Sequence, residues 1–283
     1  KLDSYLEKQS NIFFEEADNF IEDYSRYLEA ENISFDFAID AYLKMCKDML
    51  KSQIYFLKEN KYPLSDQKEA FQEVYNSKIE MQSYMVGLGL SQYLWGTHFK
   101  MFKHLTETLK KNSETIESYL EIGPGHGLFF KSAIEIIGSN CKYTAVDISE
   151  VSLNLTKSII SFFELDNNRI EYLNKDVLDF KSNELYDFIV MGEVLEHVER
   201  PDLLLEGLNR ILSVNGSAFI STCVDCPTID HVYHFKSVDE IREMVKKSGF
   251  HISSEKVLPV EELPIEEIIE KKITINYSAI IKK

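Results

Sequence analysis

Three glycines in one short segment, Gly123, Gly125 and Gly127, mark the strongest candidate ligand site in the sequence. The segment reads LEIGPGHGL over residues 120–128 and stands between an apolar run typical of a strand and one typical of a helix. Glycines at such a turn let the backbone approach a ligand closely, because no side chain fills the space. Leu128 stands where the dinucleotide fingerprint G-x-G-x-x-G requires its third glycine. The pattern therefore suits an uncharged sugar linked to a zwitterionic amino acid better than a pyrophosphate.

Further chemistry-bearing residues follow this segment. Acidic side chains come after two apolar runs, at Asp147 and Asp176, and a third run ends in MGEVLEHV at 191–198. A histidine-containing segment, DCPTIDHVYHF at 225–235, follows a later run. Each group stands at the carboxyl end of a predicted strand, the edge at which open α/β sheets bind their ligands. We therefore expect these groups to meet at one site.

The elements that position these residues change in kind near residue 115. Over about 11–109, apolar residues recur at spacings of three and four, which predicts several helices and no strand. A capping segment at 65–69 predicts the start of one helix. Breaks between helices are predicted at the Tyr-Pro-Leu segment 62–64 and at Gly87 and Gly89.

From residue 118 onward, predicted strands alternate with helices. The strands are expected at 118–122, 143–147, 169–173, 188–191, 217–222 after a turn at 215–216, 251–258 and 273–281. The helices are expected at 128–137, 151–163, 201–212 and 237–249. This alternation predicts an α/β fold with a doubly wound, Rossmann-like, seven-stranded and mostly parallel sheet. We predict an N-terminal all-helical domain over 1–112, for covering the substrate or for dimerisation, and a Rossmann-like domain over 113–283.

These motifs, in this order, resemble class I methyltransferases that use S-adenosylmethionine (SAM), of the bacterial group acting on small molecules. The resemblance covers about residues 117–250 and implies that the last strand is antiparallel to the others. It also implies that the 113–283 domain binds SAM. In that family the glycine loop packs against the cofactor, which assigns this role to Glu121, Gly123, Pro124, Gly125 and Gly127.

By the same resemblance, acidic residues at the ends of the second and third strands bind the nucleoside. Asp147, beside Ile148, would accept hydrogen bonds from both ribose hydroxyls, because two carboxylate oxygens match two vicinal hydroxyls. Asp147 has an alternative role as the cap of the next helix, which Ser149 is also able to fill. Asp176 would accept a hydrogen bond from the adenine amino group, and the backbone of Val177 would contact the ring.

The MGEVLEHV segment closely matches the family and implies one wall of the cofactor pocket. Met191, Gly192 and Glu193 would contact the cofactor, and Glu193 would also point toward the methyl-transfer region, which makes it a catalytic candidate. His197 is a candidate substrate contact that shapes the pocket through a local hydrogen bond rather than by catalysis.

The 225–235 segment is expected to overhang the acceptor side of the site. An acceptor hydroxyl or ammonium must lose a proton, and an imidazole is a suitable base near neutral pH. His231 and His234 are the candidate bases, and the alternative for either is a structural tie between loop and sheet. Tyr233 is a candidate substrate contact.

Aromatic residues before the sheet are candidates for a cover over the site. In related enzymes this segment folds over the cofactor, and a sulfonium beside an aromatic face gains about 0.5–2 kcal/mol. We expect Tyr93 to contact the cofactor and Trp95 and His98 to contact the substrate. The alternative is that these side chains, at helical spacing, belong to the core of the helical domain.

The cysteines leave two interpretations open. Four are present, too few for a disulfide scaffold. Cys223 and Cys226 have the spacing of half a zinc site or of a redox pair, and His231 and His234 stand near them in sequence. No second pair of comparable spacing is present, so two thiols in a loop and no bound metal are favoured.

Composition and charge narrow the class of protein. The 283-residue chain has a formal net charge of −16, and an acidic surface repels phosphate backbones, so we expect no nucleic-acid partner. No apolar run approaches the ~20 residues that cross a bilayer, and the first residues show no signal-peptide core. We therefore predict a cytoplasmic protein without membrane contact.

These features together predict a SAM-dependent methyltransferase that acts by in-line displacement and releases S-adenosylhomocysteine (SAH). The expected acceptor is a hydroxyl or amine of a small polar metabolite, such as a sugar, a surface-glycan precursor or an amino-acid-like intermediate. Two alternatives stay open: a protein-modifying methyltransferase and a non-catalytic methyltransferase-like partner that regulates another enzyme. A homodimer through the helical domain is also a prediction. The sequence leaves the acceptor and the methylated atom undetermined.

Overall fold

A computed structural model describes residues 2–63, 78–178, 180, 182 and 184–283 of the chain. The N-terminal region contains the helices α1 (Leu2–Leu6), α2 (Asn11–Ala30), α3 (Phe35–Glu59), α4 (Lys78–Leu94) and α5 (Gly96–Asn112). Ser10 and Ser34 cap α2 and α3, because each hydroxyl accepts the backbone N–H three residues later. The helix start predicted at 65–69 lies outside the described residues.

Helix α4 runs through Gly87 and Gly89, so the helix break predicted there is wrong. A Cβ on Gly87 would lie 3.0 Å from the backbone carbonyl of Ala41 in α3. A Cβ on Gly89 would lie 2.6 Å from the hydroxyl of Tyr24 in α2. The two glycines let neighbouring helices approach α4, and this packing outweighs their low helix propensity.

The sheet follows the predicted alternation. Its strands are β1 (Ser118–Ile122), β2 (Lys142–Asp147), β3 (Ile170–Asn174), β4 (Tyr186–Gly192), β5 (Leu212–Val224), β6 (His251–Pro259) and β7 (Ile275–Lys282). The helices that follow β1 are α6 (Leu128–Ile137), α7 (Glu150–Phe162), α8 (Pro201–Ile211), α9 (Val238–Lys247) and α10 (Ile265–Glu270), of which α10 was not predicted. The strand order is β3-β2-β1-β4-β5-β7-β6, with β7 antiparallel to both of its neighbours. The predicted fold class is therefore confirmed, including the antiparallel last strand.

Strand β5 begins earlier than predicted. The expected turn at 215–216 lies inside the strand, where the register against β4 shifts between Tyr186 and Phe188. A Cβ on Gly216 would lie 3.0 Å from the carbonyl oxygen of Asp187. The Asn-Gly pair therefore forms an irregularity in a paired strand rather than a chain reversal, because the bare glycine lets β4 pass close by.

The sheet is buried on both faces. Consecutive residues of β1 point to opposite faces, so that Tyr119 belongs to one apolar cluster and Leu120 to another. The Tyr119 cluster also contains Tyr27 of α2 and Leu105 of α5, so the helical region shares a core with the sheet. The domain boundary at 112/113 stays a prediction. Among the described helices, none combines the length and the apolar character that crossing a membrane requires.

Candidate active site

The glycine loop joins β1 to α6 at the carboxyl edge of the sheet. Gly123, Gly125 and Gly127 have φ angles of 66°, 57° and 78°, in the left-handed region that side chains disfavour. The Gly123 amide donates to the carbonyl of Val146 at 2.8 Å, and the Gly127 amide donates to that of Pro124 at 2.9 Å. These bonds fix the loop between β1 and β2.

The space around the three glycines differs. A Cβ on Gly127 would lie 2.8 Å from Cγ2 of Ile159 and 2.9 Å from Cα of Thr156, both in α7. Gly127 therefore lets the loop pack against a helix. Gly125 has more room, because its nearest neighbour would be Sδ of Met85 at 3.3 Å. Helix α4, which carries Met85, thus lies over a bare stretch of loop, and the loop fits the cofactor cradle that the resemblance implies.

Glu121 lies beneath the loop rather than on its surface. Its side chain is buried, the hydroxyl of Tyr119 donates to its Oε2 at 2.5 Å, and the backbone amide of Phe130 also donates to it. Burial raises the pKa of Glu121 to about 8, although both hydrogen bonds lower it. These contacts tie β1 to α6, and contact between Glu121 and the cofactor stays a prediction.

Asp147 is held in place by the first turn of the next helix. Its Oδ1 accepts the amide of Ser149 at 2.8 Å and its Oδ2 accepts the hydroxyl of Ser152 at 2.6 Å. Ser149 is the N-cap residue of α7, the position that it shared with Asp147 as a candidate, because its hydroxyl accepts the amide of Ser152. Burial raises the pKa of Asp147, and the hydrogen bonds from Ser152 and Ser149 oppose this shift. Each oxygen keeps lone-pair capacity for a further donor such as a ribose hydroxyl.

The predicted adenine contacts lie on an open part of the same edge. Ile148 is 40% exposed, and its carbonyl accepts the Asn174 side-chain amide at 2.9 Å. Asp176 is half-buried, and its Oδ1 accepts the backbone amide of Leu178 at 2.9 Å. Val177 packs against the apolar cluster below. The binding roles of Ile148, Asp176 and Val177 stay predictions.

Glu193 has the most unusual environment at this edge. Met191 and Gly192 end β4 before it, Met191 fully buried, and Glu193 itself takes a left-handed φ of 53°. Its amide donates to both the carbonyl and the hydroxyl of Ser221 at 3.1 Å. Its Oε1 is buried and has no hydrogen-bond partner within the described part of the chain. A strained backbone and an unsatisfied carboxylate oxygen are typical of a ligand-binding position.

Glu196 joins the 225–235 segment to the sheet. Its Oε2 accepts the hydroxyl of Thr222 at 2.7 Å, and its backbone carbonyl accepts the amides of Val232 and Tyr233 at 2.9 Å. Burial raises the pKa of Glu196 well above its usual range, and the neighbouring charge of Glu193 raises it further. Sequence analysis missed this role, because Glu196 stood out only as part of a family motif.

His197 hydrogen-bonds to the 225–235 segment, 33 residues away, rather than to a near neighbour, and its contact with the substrate stays a prediction. Its Nδ1 lies 3.0 Å from the carbonyl oxygen of Asp230 and 3.5 Å from the Asp230 Oδ2. Its ring meets the ring of His231 edge-on at 4.7 Å. Nδ1 of His231 lies 2.7 Å from the carbonyl oxygen of Cys226, and His231 is buried. His231 thus bonds within its own loop, and its role as a base stays a prediction.

His234 forms a pair with a carboxylate instead. Its Nε2 lies 2.6 Å from Oδ1 of Asp225, and its side chain keeps some exposure. The ring of Tyr62 lies 4.7 Å from the His234 ring, and that of Phe56 lies edge-on at 5.1 Å. The hydroxyl of Tyr233 donates to Oε1 of Glu240 in α9.

The three residues predicted to cover the site have different surroundings in the structure. Tyr93 packs among aromatic rings and lines a cavity of about 260 Å³ with residues of α2 and α6. The Trp95 indole N–H donates to the hydroxyl of Tyr42 at 2.8 Å. Burial and, to a smaller extent, the charge of His126 in the glycine loop lower the pKa of His98 to about 3. The cofactor role of Tyr93 and the substrate roles of Trp95 and His98 stay predictions.

Two tyrosines that sequence analysis did not single out reach the acceptor side. Burial raises the pKa of Tyr84 in α4 well above its usual range, and the charges of Asp230 and Glu193 add to this shift. The hydroxyl of Tyr62 accepts the amide of Cys226 at 2.9 Å. No local sequence signal predicts a contact over such a separation, and 62–64 was interpreted only as a helix break.

Potential metal ligands cluster at the same edge. Cys223, Cys226 and His231 form one group whose ligand atoms all lie within 4.8 Å of one another. Glu196 and His197 form a second group with His231, and Glu193, Glu196 and Cys223 form a third. The four cysteines of the chain are free thiols.

Comparison with known proteins assigns the family. Residues 94–255, more than half of the chain, match a family model described as a methyltransferase domain. The chain belongs to this family, and the predicted class, a SAM-dependent methyltransferase with a Rossmann-like fold, is confirmed.

Curated relatives resemble part of the chain. A protein of Rickettsia canadensis named ubiquinone biosynthesis O-methyltransferase is 27% identical over 177 residues, which are 56% of this chain and 72% of that protein. The mitochondrial protein of that name from Schizosaccharomyces pombe is 31% identical over 119 residues, 42% of either chain. The chain thus spans less than half of the second relative.

Solved structures share the fold. An O-methyltransferase family protein from Burkholderia thailandensis has a TM-score of 0.60 at 12% identity, over 88% of this chain and 73% of that one. The N-methyltransferase NodS of Bradyrhizobium japonicum, solved with SAH, has a TM-score of 0.54 at 14% identity, over 78% of this chain and all of that one. The [4+2]-cyclase SpnF has a TM-score of 0.51 at 12% identity, over 64% of this chain and 80% of that one. Because one fold carries these different activities, the acceptor must be argued from the site.

Proposed function

We propose that this chain transfers the methyl group of SAM to a hydroxyl oxygen of a small polar molecule, with His234 as the base. The observation that carries the proposal is the pair of His234 and Asp225, whose Nε2 and Oδ1 lie 2.6 Å apart. The pair follows β5, at the same edge of the sheet as the glycine loop. The names of the curated relatives, which are O-methyltransferases, support an oxygen acceptor.

SAM supplies a methyl group on a positively charged sulfur, so that its leaving group is neutral. The protein therefore has three tasks: to align the acceptor, to exclude water and to take up the hydroxyl proton. Only the third task needs a titratable side chain.

The pairing of His234 defines which nitrogen takes up the proton. Asp225 accepts a hydrogen bond, so Nε2 of His234 carries the proton in the neutral ring and Nδ1 is the free acceptor. Once Nδ1 gains the acceptor proton, the imidazolium lies beside the Asp225 carboxylate, which stabilises its charge. Nδ1 of His231 differs in that it hydrogen-bonds to a backbone carbonyl rather than to a carboxylate.

Tyr62 and Phe56 hold the imidazole and cover it. Their rings lie 4.7 and 5.1 Å from the ring of His234. The hydroxyl of Tyr62 is anchored by the Cys226 amide, next to Asp225. Rings on this side restrict the orientations of His234 and reduce its contact with water, which strengthens the pair with Asp225.

Glu193 is the second polar contact that we assign to the acceptor. Its unpartnered Oε1 accepts a hydrogen bond from a second donor of the bound molecule, such as a neighbouring hydroxyl. A small polyfunctional molecule satisfies this oxygen, whereas a lone hydroxyl leaves it unpaired at a cost of about 1–3 kcal/mol. This requirement supports a polar metabolite as the acceptor class.

The experiment combines SAM carrying an isotopically labelled methyl group with a panel of phenols, sugars and amines, with the products identified by mass spectrometry. We expect a labelled methyl ether. His234→Ala should lower the single-turnover rate by about 10²–10⁴-fold at saturating acceptor, because the base is lost. SAH affinity, measured by calorimetry, should not change.

The matched control is His251→Ala, which removes an exposed imidazole at the start of β6 and should keep the full rate. An unchanged rate in His234→Ala would contradict its role as the base. Label in an N-methyl product, or in a protein of the reaction mixture, would overturn the hydroxyl acceptor. The cytoplasmic location and the dimer through the helical region stay predictions.

A further inference from the structure

The turn after β5 is fixed by long-range hydrogen bonds. Asp225 has a left-handed φ of 48°, its amide donates to the carbonyl of Phe235 at 3.2 Å, and its own carbonyl accepts the hydroxyl of Thr274 at 2.8 Å. Because the backbone bends at Asp225, the flanking Cys223 and Cys226 turn toward the same space. Their sulfur atoms lie within 4.8 Å of each other.

His231 completes a group of three ligand atoms. Sγ of Cys223 lies 3.8 Å from Nδ1 of His231, and the ligand atoms of Cys223, Cys226 and His231 all lie within 4.8 Å of one another. Neighbouring ligands of a tetrahedral zinc ion are roughly 3.5–3.8 Å apart, given Zn–S and Zn–N lengths of about 2.3 and 2.0 Å. The side chains thus need only small movements to share one ion.

We propose that Cys223, Cys226 and His231 bind one soft divalent cation, with Zn²⁺ as the expected ion. Two sulfurs and one nitrogen favour such an ion over Mg²⁺ or Ca²⁺, which prefer oxygen ligands. Three protein ligands leave a fourth position, and Oε1 of Glu196, 3.9 Å from Sγ of Cys223, is a candidate oxygen ligand for it.

The charge of the surroundings supports a cation here. Glu193 and Glu196 both lie close to Cys223, and within the described ranges neither carboxylate forms a salt bridge with a lysine or arginine. Ligand atoms of Glu193, Glu196 and Cys223 all lie within 4.8 Å of one another, so the negative charge is concentrated beside the two thiols. A divalent ion would stabilise the thiolates and offset the clustered negative charge.

Metal binding at this site is linked to proton release. Nδ1 of His231 donates its proton to the carbonyl of Cys226 at 2.7 Å, and an ion bound at Nδ1 would shift that proton to Nε2, so the ring stays neutral and releases none. Deprotonation of the thiols supplies the released protons, so affinity falls as the pH is lowered. A bound ion would fix the 225–235 segment against β5. If the proposed function holds, the bound ion would also position His234. The metal site itself does not depend on the proposed function.

The test uses the full chain, reduced and stripped of metal by a chelator. Co²⁺ is added as a spectroscopic probe, and Zn²⁺ affinity is measured by competition with a chromophoric chelator. We expect one ion per chain and a thiolate-to-cobalt charge-transfer band in the near ultraviolet. Cys223→Ser and Cys226→Ser should each diminish the band and weaken Zn²⁺ binding by more than roughly 100-fold, the upper end for loss of an outer-shell partner.

Two cysteines outside the group provide matched controls. Cys46→Ser and Cys141→Ser should keep both the band and the affinity, although Cys141 is as buried as Cys223. Near-ultraviolet circular dichroism and SAH calorimetry on each variant confirm that it is folded.

Three results would overturn the proposal. One is the absence of a charge-transfer band in the unmodified chain, and another is a band that survives both serine variants. The third is cobalt binding that gives no thiolate absorption and that disappears in His197→Ala. This result would assign the ion to the other group of ligands, Glu196, His197 and His231. Failure of the proposed function is distinguishable, because a labelled product can be absent while the cobalt band is present.

Discussion

The end of the site that we predict to bind the cofactor, around Asp147, and the end that we propose to bind the acceptor, around His234, differ in how far apart in the sequence their contacts lie. On the cofactor side, Asp147 is oriented by Ser149 and Ser152, which follow within five residues. On the acceptor side, the Tyr62 hydroxyl reaches the amide of Cys226 across 164 residues. The cofactor end is therefore built by local chain geometry, and the acceptor end by the way distant segments pack. A change at one end should leave the other largely intact.

The same contrast appears in the charges. At the cofactor end, the Asp147 carboxylate has a donor for each of its oxygens. At the acceptor end, Oε1 of Glu193 is buried and has no hydrogen-bond partner among the described residues. The acceptor end thus has a hydrogen-bonding requirement that a ligand or an ion must meet, whereas the Asp147 carboxylate is already held in place.

The largest effect should come from Glu121, beneath the glycine loop. Its folded-state pKa of about 8 lies above the ordinary 4.5, so as the pH rises from 4.5 to 8 the unfolded chain loses this proton while the folded chain keeps it. Glu121 therefore lowers the free energy of unfolding through that window, in total by about 5 kcal/mol at about 1.4 kcal/mol per unit. Glu121→Gln should remove this decline in urea unfolding measured from pH 5 to 8.5.

The control for Glu121→Gln is Glu171→Gln, an exposed change in β3 that should follow the unmodified chain at every pH. If the stability of Glu121→Gln showed the same pH dependence as that of the unmodified chain, the pKa of Glu121 would not be raised by burial, and the prediction would be wrong.

The next effect concerns the fit of the glycine loop. Gly127→Ala should destabilise the chain by about 2–4 kcal/mol, because it combines left-handed strain with contacts of 2.8 and 2.9 Å to Ile159 and Thr156. Gly249→Ala, at a similar φ of 83°, meets only the flexible side chain of Asn209 and should cost about 1 kcal/mol. Chemical denaturation of both variants checks the difference, and equal losses would show that the packing against α7 is unimportant.

A smaller effect is expected on SAH affinity when Asp147, at the cofactor end, is changed. Asp147→Asn should weaken SAH binding by about 10–100-fold, because a charged acceptor of two hydrogen bonds becomes neutral at a cost of about 1.5–3 kcal/mol. Glu150→Gln, exposed three residues later, should keep the affinity. Calorimetry with SAH provides the measurement, and an unaltered Kd for Asp147→Asn would place the ribose elsewhere.

The smallest effect should come from the acceptor end. Tyr62→Phe leaves the buried amide of Cys226 without its acceptor and should lower stability by about 1–2 kcal/mol. SAH affinity should stay the same, whereas the methyl-transfer rate should fall because His234 is held less firmly. Tyr55→Phe, at a partly exposed position in α3, should change neither quantity. A loss of SAH affinity in Tyr62→Phe would contradict the separation of the two ends.

Much of the fold was predictable because its signals are local. Alternating apolar runs, the capping serine at 237 and the glycine loop each depend on residues within one or two turns of the chain, and they appear close to where expected, apart from the earlier start of β5 and the unpredicted α10. The wrong predictions concern glycines. Gly87, Gly89 and Gly216 read as breaks or turns, but each provides room for a neighbouring segment that the sequence does not reveal.

The sequence by itself determined the class of protein, because the cofactor motifs are short and their residues are held by near neighbours. Tertiary structure alone decided which histidine lies beside a carboxylate and how Tyr62 of the helical region reaches the turn after β5. It also decided that two cysteines and a histidine share one space. The physical reason is that these contacts depend on the packing of segments far apart in the chain, and no local pattern of residue types records that packing.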